Sequence, residues 1–496
     1  MNPEHFDVLV VGAGLSGVGA GYWLQKLCPG KSYAIIEARA RMGGTWDLFR
    51  YPGIRSDSDM FTLGYAFKPW TDPKAIADGP SILRYIEETA RENGIDRKIR
   101  YSQRMVSAAW SSADALWTVQ VDTPEGRRAY TCGFLYMCSG YYSYDKGYLP
   151  DFAGMSDYRG KIVHPQAWPH DLDYAGKRVI VIGSGATAMT LVPEMARTAA
   201  HVTMVQRSPT YVVARPSSDA AADWLRAKLP AKTAYHFARW KNVLFGMYFY
   251  NLCKRRPDKV KAYLLKLVRE QLPAGYDIEK DFTPRYNPWD QRLCLITDGD
   301  LFAAIREGRA SVATDAIERF TEKGLRLAGG REIEADIIVT ATGLQLQMLG
   351  GATLSVDGVE VEPGKTLNYK GMMFSDVPNL AATFGYTNAS WTLKADLIGE
   401  YVCRILNVMD AKGRKIVVAH NDDPDMPIES FVDFSSGYFQ RVMDQLPKQG
   451  ARKPWKLYQN YAKDLLALRY GKVEDGALRF SNPPAVSAAK KEMEAA

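Results

Sequence analysis

The sequence predicts an α/β protein, and three observations carry that prediction. The short apolar run Phe6–Val11 leads into a glycine pattern, GAGLSG, at residues 12–17. A second apolar run, Arg178–Ile182, leads into GSGATA at residues 183–188. The stretch Asp219–Pro273 has a helical pattern rich in lysine, arginine and aromatic residues. Since a strand, such a glycine turn and a helix form a dinucleotide-binding unit, we expect two Rossmann-like dinucleotide-binding domains with a helical insertion in the second.

Composition limits the classes of protein to consider. The chain has 496 residues, of which 46% are hydrophobic and 24% charged, as is typical of a globular protein with ample core. The net charge of +7 is too small and too diffuse to indicate nucleic-acid binding, although a basic pocket for a phosphate-bearing cofactor accounts for part of it. No basic segment precedes the first apolar run, so we expect no signal peptide.

The six cysteines indicate neither a metal site nor a redox dithiol, because none form a CxxC pair. Cys132 and Cys138 fall on one predicted strand, about 20 Å apart at about 3.3 Å per residue, too far for a disulfide. This usage favours a reducing compartment, and we predict a cytoplasmic protein. It also argues against a disulfide reductase.

The first dinucleotide unit is complete in the sequence. A helix follows the glycine pattern, and the next strand, Tyr33–Ile36, ends on Glu37, where a carboxylate would bind a ribose hydroxyl. The alternative is a glycine-rich turn without a ligand. The long loop Ala38–Asp59 is expected to wrap the cofactor. The candidate cofactor-binding residues here are Gly12, Gly14, Ser16, Gly17, Glu37, Gly44, Thr45, Trp46, Arg55, Ser56, Asp57 and Met105.

The second unit differs from the first at one informative position. Its second strand, His201–Val205, is followed by Arg207 and Ser208, where the first unit has Glu37. A carboxylate repels a 2′-phosphate, whereas an arginine fork and a hydroxyl bind one. The first unit therefore suits FAD and the second NADPH; the alternative is an ordinary surface arginine. The candidates are Gly183, Ser184, Gly185, Ala186, Thr187, Ala188, Arg207 and Ser208.

These assignments predict the domain order. We expect 1–143 to be the first part of the FAD-binding domain, 144–215 and 282–343 the NADP-binding domain, 216–281 the helical insertion, and 344–496 the second part of the FAD-binding domain. Asn379–Leu397 is predicted as a loop feeding a helix whose N-terminus suits the flavin edge. Within the insertion, Val243–Cys253 is apolar but far shorter than the ~20 residues of a membrane span. It is either an interfacial membrane contact or, preferably, a buried helix or tunnel wall.

The segment Tyr158–Asp171 joins the two glycine units and reads as neither a good helix nor a good strand. It contains Gly160, His164, Trp168 and two prolines. One interpretation is a packed inter-domain linker. The other is a segment that responds to the occupancy of both nucleotide sites.

The residues of this linker carry a family resemblance. Tyr158, Gly160, His164, Trp168 and Pro169 resemble the FxGxxxHxxxWP fingerprint of Baeyer–Villiger (class B flavin) monooxygenases, with tyrosine in place of the first phenylalanine. Gly43-Gly-Thr-Trp46, and Tyr51-Pro-Gly53 with Asp57, also match that family. The stretches most similar to its ethionamide-activating branch are Thr45–Gly64, Asn287–Leu295 and Tyr386–Leu397.

The resemblance implies a reaction and a set of roles. NADPH reduces FAD, oxygen adds at the flavin C4a, and the peroxyflavin converts a ketone to an ester or lactone, with sulfoxidation of sulfides or thioamides as a further activity. It implies that Arg292 and Asp57 are catalytic and lie close together, and that His164 and Trp168 have a conformational role. A fixed cation in a dry pocket would stabilise the anionic adduct. The expected substrates are a small hydrophobic ketone or sulfide and O2.

Two rival functions stay open at this point. One is a related flavin-containing S- or N-oxygenating monooxygenase, which the residues do not distinguish from a Baeyer–Villiger enzyme. The other is a flavoprotein that acts as a regulator or a membrane-surface partner. Arg292 and Asp57 at family-matching positions argue against the second rival.

Overall fold

A computed structural model describes residues 3–291, 293–432 and 437–484 of the chain. Its first sheet is built from both ends of the sequence and contains nine strands within those ranges. The central strand Glu4–Val11 runs parallel to Tyr33–Ile36 on one side and to Gly126–Met137 on the other. The remaining strands are Ile99–Arg100, Arg104–Ser111, Leu116–Thr123, Thr353–Val356, Val359–Glu360 and Leu380–Ala382.

The second sheet is all parallel and comes from the middle of the chain. From edge to edge its strands are Ala310–Thr314, His201–Gln206, Arg178–Ile182, Ile337–Thr340 and Lys161–Val163. Smaller sheets pair Val212–Arg215 with Cys294–Thr297 and join Ile317–Thr321, Gly324–Leu327 and Glu332–Glu334. A mixed first sheet and an all-parallel second sheet, each with a strand–glycine turn–helix unit, confirm the predicted α/β fold class, while the domain boundaries at residues 143, 215, 281 and 343 stay predictions.

Helices cover the sheets and form the insertion. The longer ones are Leu15–Leu27, Gly79–Glu92, Ala186–Met195, Ala220–Lys228, Ala231–Arg255, Pro257–Arg269, Asp300–Arg306 and Trp391–Ala411. The helix Gly79–Glu92 begins directly after Asp78, whose carboxylate accepts the Ser81 N–H at 2.9 Å and caps the N-terminus. One-turn helices lie at Thr45–Leu48, Met60–Leu63, Ile278–Asp281, Gly437–Gln440 and Tyr461–Asp464.

The linker prediction is wrong in one respect. Residues Lys161–Val163 form a strand at the edge of the second sheet, parallel to Ile337–Val339. A single turn of 3-10 helix, Pro165–Ala167, follows. Three residues are too few for a periodic signal in the sequence. This strand forms because the neighbouring strand offers it unpaired backbone groups.

The insertion packs against the first domain as well as the second. Its helix Ala231–Arg255 contributes Ala234, Tyr235 and Ala238 to the core that also holds the first sheet. The buried Arg239 guanidinium donates to the carbonyl oxygens of Phe61 and Gly64, each at 2.7 Å. It lies 3.6 Å from the Asp396 carboxylate, whose pKa burial raises to about 6 against the opposing charge of Arg239. Removing one partner would leave a buried charge uncompensated.

Candidate functional site

One cavity of about 1580 Å³ joins the two glycine units. The carboxyl ends of the parallel strands open into it, as expected for ligand sites of such sheets. The residues predicted from the first unit and its loop that line the cavity are Gly12, Gly14, Ser16, Glu37, Gly44, Thr45, Trp46, Arg55, Ser56, Asp57 and Met105. From the second unit they are Gly183, Ser184, Gly185, Ala186, Thr187, Arg207 and Ser208. Gly17 and Ala188 lie behind the lining, one turn into their helices.

The first glycine turn is held by close backbone contacts. Gly12 has φ +103°, and a Cβ there would lie 2.6 Å from the Cys138 carbonyl oxygen. A Cβ on Gly17 would lie 1.8 Å from the Gly12 oxygen. Neither position accepts a side chain, so the turn packs tightly and leaves its backbone open towards the cavity. Such a turn at a helix N-terminus is suited to a pyrophosphate.

Glu37 is buried, and its carboxylate is already partly paired. One oxygen accepts the Ala13 N–H at 2.8 Å, and the other accepts the Arg39 N–H at 2.9 Å. Burial raises the pKa of this carboxyl, and the two backbone donors oppose the shift. Each oxygen keeps a further lone pair. Glu37 can therefore accept hydrogen bonds from ribose hydroxyls, but it has no hydrogen-bond donor for a phosphate.

The loop after Glu37 is organised by Asp47, whose side chain is 2% exposed. Its carboxylate binds Arg39 at 2.6 Å and Arg50 at 2.8 Å. Arg39 also lines the cavity, beside Tyr144. Arg39 was not among the predicted residues, although its place two residues after Glu37 was a usable signal.

Arg55 bridges the two units. Its Nη1 donates to the Asp300 carboxylate at 2.6 Å, and Asp300 begins a helix of the second unit. Its Nη2 is buried without a hydrogen-bond partner among the described residues, while the side chain lines the cavity. A buried unpaired donor is costly, and an acceptor group of a bound cofactor would satisfy it.

The second glycine turn repeats the first with one exception. Gly183 has φ +129°, and a Cβ there would lie 2.3 Å from the Ala341 carbonyl oxygen. At the third position, however, Ala188 is accommodated with its side chain fully buried. This position therefore accepts a methyl group, whereas the equivalent Gly17 of the first unit does not.

Arg207 and Ser208 follow the strand His201–Gln206, line the cavity and are exposed. Among the described residues Arg207 has no ion-pair partner. Ser184 Oγ lies 3.0 Å from Thr210 Oγ1 and 3.2 Å from the Ser208 carbonyl oxygen, which holds the loop in place. The guanidinium is thus available to an external anion.

The linker residues Gly160, His164 and Trp168 do not line the cavity. His164 follows the edge strand Lys161–Val163, and its Nδ1 accepts the Gln166 N–H at 3.2 Å. The Gln166 side chain donates to the Ser143 carbonyl oxygen at 2.8 Å, which ties this turn to the connecting chain. Burial lowers the pKa of the His164 imidazole. Trp168 packs against the core of the second sheet.

The helix Trp391–Ala411 begins at the cavity, as the loop-to-helix prediction for Asn379–Leu397 indicated. Trp391 donates its indole N–H to Ser16 Oγ at 2.7 Å and stacks on Tyr141 with ring centroids 5.1 Å apart. The Thr62 and Ser390 hydroxyls lie 2.7 Å apart and join the one-turn helix Met60–Leu63, which follows the loop Ala38–Asp59, to this helix. Trp391 and Tyr141 line the cavity and were not among the predicted residues.

Arg292 lies outside the described residues, so the expected Arg292–Asp57 pair is untested by the structure. Asp57 itself lines the cavity. Its neighbours in the sequence are fixed: the buried Ser56 hydroxyl donates to the Ser58 carbonyl oxygen at 2.7 Å.

The insertion closes one side of the cavity with apolar side chains. The residues are Val243, Met247, Phe249, Leu264 and Leu267. The apolar stretch Val243–Cys253 therefore forms a wall, as preferred from the sequence, although its other face is exposed. Among the described helices, none combines the length and the apolar character needed to cross a bilayer.

Two family models match the chain. The model described as flavin-binding monooxygenase-like matches residues 72–377, more than half of the chain. The chain belongs to this flavin-binding monooxygenase family. A model of the NAD(P)-binding Rossmann-like domain matches residues 10–71.

Curated relatives match over nearly the whole chain. FAD-containing monooxygenase EthA of Mycobacterium tuberculosis is 56% identical over 483 residues, covering 97% of this chain and 99% of that protein. Putative FAD-containing monooxygenase MymA of the same species is 50% identical, covering 96% and 98%. Probable FAD-binding monooxygenase AlmA of Acinetobacter baylyi is 46% identical, covering 96% of each.

Solved structures share the fold. A steroid monooxygenase bound to NADP superposes with a TM-score of 0.76 at 22% identity, over 96% of this chain and all of that one. Cyclohexanone monooxygenase from Rhodococcus sp. Phi1 gives 0.74 at 20% identity, over 97% of this chain and all of that one. Together with the family match, these findings confirm the predictions of a flavin monooxygenase that uses FAD and NADP.

Proposed function

We propose that this flavin monooxygenase is a Baeyer–Villiger enzyme that uses NADPH and O2 to convert hydrophobic ketones to esters or lactones, and that it also oxygenates sulfides and thioamides. The observation that carries the proposal is the single cavity shared by two unlike dinucleotide units. A reductant and a flavin held in one cavity can react without either leaving the protein. The resemblance of Tyr158–Pro169 to the Baeyer–Villiger fingerprint supports ester formation, and product analysis separates it from S- or N-oxygenation alone.

We assign FAD to the first unit and NADPH to the second. Glu37 is a buried acceptor, which suits ribose hydroxyls and repels a 2′-phosphate. The adjacent loop, with Gly44, Thr45 and Trp46, surrounds the same part of the cavity. Arg207 and Ser208 present a guanidinium and a hydroxyl to the second site, as a 2′-phosphate requires. Bound FAD would react with O2, a chemistry that no amino-acid side chain provides.

The protein's own contribution is placement and exclusion of water. Glu37 and the first glycine turn hold one nucleotide, and Arg55, through Asp300, holds the two units in register. The apolar wall of Val243, Phe249 and Leu264 keeps the remaining space dry, which strengthens any charge interaction there. From the family resemblance, we propose that Arg292, oriented by Asp57, stabilises negative charge on the oxygenated substrate.

Product analysis tests the function. The purified flavoprotein is supplied with NADPH, ¹⁸O-labelled O2 and either a cyclic ketone or an aryl methyl sulfide. We expect one labelled oxygen in the lactone and one in the sulfoxide. Consumption of NADPH that yields only hydrogen peroxide with both substrates would contradict the proposal. Labelled sulfoxide without lactone would favour the alternative, an S- or N-oxygenating enzyme.

The role of Arg292 has its own test. Arg292→Ala should still allow NADPH to bleach the flavin at the normal rate, while lactone formation falls below detection. Arg285→Ala removes an exposed arginine of the same loop that does not line the cavity and serves as the control. Full oxygenation by Arg292→Ala would remove this residue from the proposal.

A further inference from the structure

The insertion helix Ala231–Arg255 has two different apolar faces. Val243, Phe249 and Tyr250 line the cavity. Phe237, Trp240, Leu244 and Tyr248 recur every three or four residues along another stripe and do not line it. Their exposed fractions are 58%, 38%, 56% and 65%. Such spacing puts them on one side of the helix, where they form a surface that we call the outer stripe.

The outer stripe is too large and too regular for scattered surface residues. Single exposed apolar residues are ordinary, whereas a contiguous row marks an interaction site. Trp224, on the neighbouring helix Ala220–Lys228, is 63% exposed and adds a further aromatic ring to the same insertion. The helices Ala220–Lys228 and Ala231–Arg255 pack against each other.

The positive charge of the protein is concentrated in the insertion. Residues 216–281 contain thirteen lysines and arginines against seven aspartates and glutamates, a net charge of +6 in a chain whose total is +7. The rest of the protein is therefore close to neutral. Among the described residues, no ion pair engages five exposed basic side chains of the insertion: Lys228, Lys232, Arg255, Arg256 and Lys259.

This combination favours one kind of partner. Protein–protein interfaces are depleted in lysine, whereas helices that lie in a membrane interface carry tryptophan, phenylalanine and leucine on one face and lysine and arginine beside it. Each basic residue close to an anionic leaflet contributes about 1 kcal/mol of attraction. A stable contact with a membrane needs burial of apolar side chains as well as electrostatic attraction, and the apolar row supplies that burial.

We propose that the insertion docks on the surface of an anionic lipid bilayer through the outer stripe, with Arg255, Arg256 and Lys259 against the lipid headgroups. The helix would lie in the interface, with its opposite face still lining the cavity. If the proposed oxygenation of hydrophobic substrates holds, this arrangement places the apolar wall of the site next to the compartment in which such substrates dissolve. The docking itself does not depend on the reaction.

Vesicle sedimentation tests the proposal with the full-length, flavin-loaded protein and without turnover. The vesicles are either phosphatidylcholine alone or phosphatidylcholine mixed with phosphatidylglycerol. We expect binding to the anionic vesicles, at least about tenfold weaker binding to the neutral ones, and a loss of affinity as salt is raised. Equal binding to both, or to neither, would overturn the proposal.

Paired variants separate the two parts of the surface. Phe237→Ser with Tyr248→Ser should weaken binding to anionic vesicles about tenfold or more, whereas Val359→Ser with Ile428→Ser, at equally exposed apolar positions elsewhere, should not. Arg255→Glu with Arg256→Glu should abolish the preference for anionic lipid, whereas Lys323→Glu with Arg331→Glu should preserve it. Because all of these positions are exposed, flavin content and Tm should stay at the wild-type values.

Size-exclusion chromatography distinguishes the competing partner, a second copy of the chain. If the outer-stripe variants convert an oligomer to a monomer while vesicle binding is unchanged, the stripe is a subunit interface and the proposal is wrong. If vesicle binding is lost and the oligomeric state is unchanged, the stripe is the lipid-binding surface.

Discussion

The two dinucleotide units share a turn but differ in how they are prepared for their ligands. In both, the first glycine lies against a carbonyl of the adjacent strand, Cys138 in one and Ala341 in the other. In the first unit the ribose-binding candidate Glu37 is buried and held by two backbone N–H groups. In the second unit Arg207 is exposed and has no ion-pair partner among the described residues.

This difference teaches how one protein can treat two similar cofactors differently. A buried, hydrogen-bonded acceptor is already ordered, so binding costs little further conformational entropy. An exposed arginine must give up its rotamer freedom when it binds, and solvent screens its charge. We therefore expect the first unit to retain its nucleotide and the second to exchange it. Four variants test whether the two units differ in this way.

The largest effect is expected from Gly17→Ala. The added Cβ would lie 1.8 Å from the Gly12 oxygen, so the helix or the turn must move. Overpacking of this kind costs about 1–3 kcal/mol or more, and here it displaces the turn that we propose binds the pyrophosphate. We expect most of the flavin to be lost, as measured by the ratio of flavin to protein absorbance. Gly30→Ala, which has open space around its Cβ, is the control.

Glu37→Gln should weaken FAD binding about 100-fold while leaving NADPH binding intact. Both carboxylate oxygens accept a backbone N–H, so the amide nitrogen must face a donor wherever it points. An unpaired buried donor costs about 1–3 kcal/mol, and about 1.4 kcal/mol corresponds to tenfold. Titration of the apoprotein with FAD measures the change. Unaltered affinity would show that Glu37 has no part in the first site.

Arg207→Ala should raise the Kd for NADPH about tenfold and leave that for NADH unchanged. The effect is smaller than at Glu37 because the guanidinium is exposed and its interaction with a phosphate is screened. Anaerobic titration with each nucleotide, followed through flavin absorbance, gives both values. Arg197→Ala, an exposed arginine outside the cavity, provides the matched control. Equal loss for both nucleotides would contradict the assignment of a 2′-phosphate to this site.

The smallest effect is expected from Ala188→Gly, which gives the second unit the glycine of the first. The change removes a buried methyl group and places glycine inside a helix, at a cost of about 0.5–1 kcal/mol. We expect Tm to fall by about 2 °C and the affinities for both nucleotides to stay within about twofold. A large loss of NADPH affinity would mean that the buried methyl group of Ala188 is itself required to hold the second glycine turn.

Much of the fold was predictable because its signals are local. The strands Tyr33–Ile36 and Arg178–Ile182 occur at the predicted bounds, since short, uninterrupted apolar runs next to glycine turns have few alternatives. The strands Glu332–Glu334 and Ile337–Thr340 show the opposite case, because only two residues separate them and yet they belong to different sheets. Adjacent sheets offered separate partners, and no local signal reports that.

The site was predictable where backbone geometry demands a residue type. Gly12, Gly183, Glu37 and Arg207 were named from spacing alone, and all four line the cavity. Trp391 and Arg39 were missed because their roles depend on their partners. Trp391 donates to Ser16, which is far away in the sequence, and Arg39 is held by Asp47 within the folded loop.

The two glycine turns, their strands and the unlike residues that follow them are encoded locally in the sequence. Those features depend on φ angles, steric contact and charge within some thirty residues of a βαβ unit. Only the tertiary structure decided that the two units open into one cavity, that Arg239 fastens the insertion to the first domain, and that one face of the insertion helix is exposed. These depend on contacts between segments far apart in the chain, for which a single sequence carries no periodic signal.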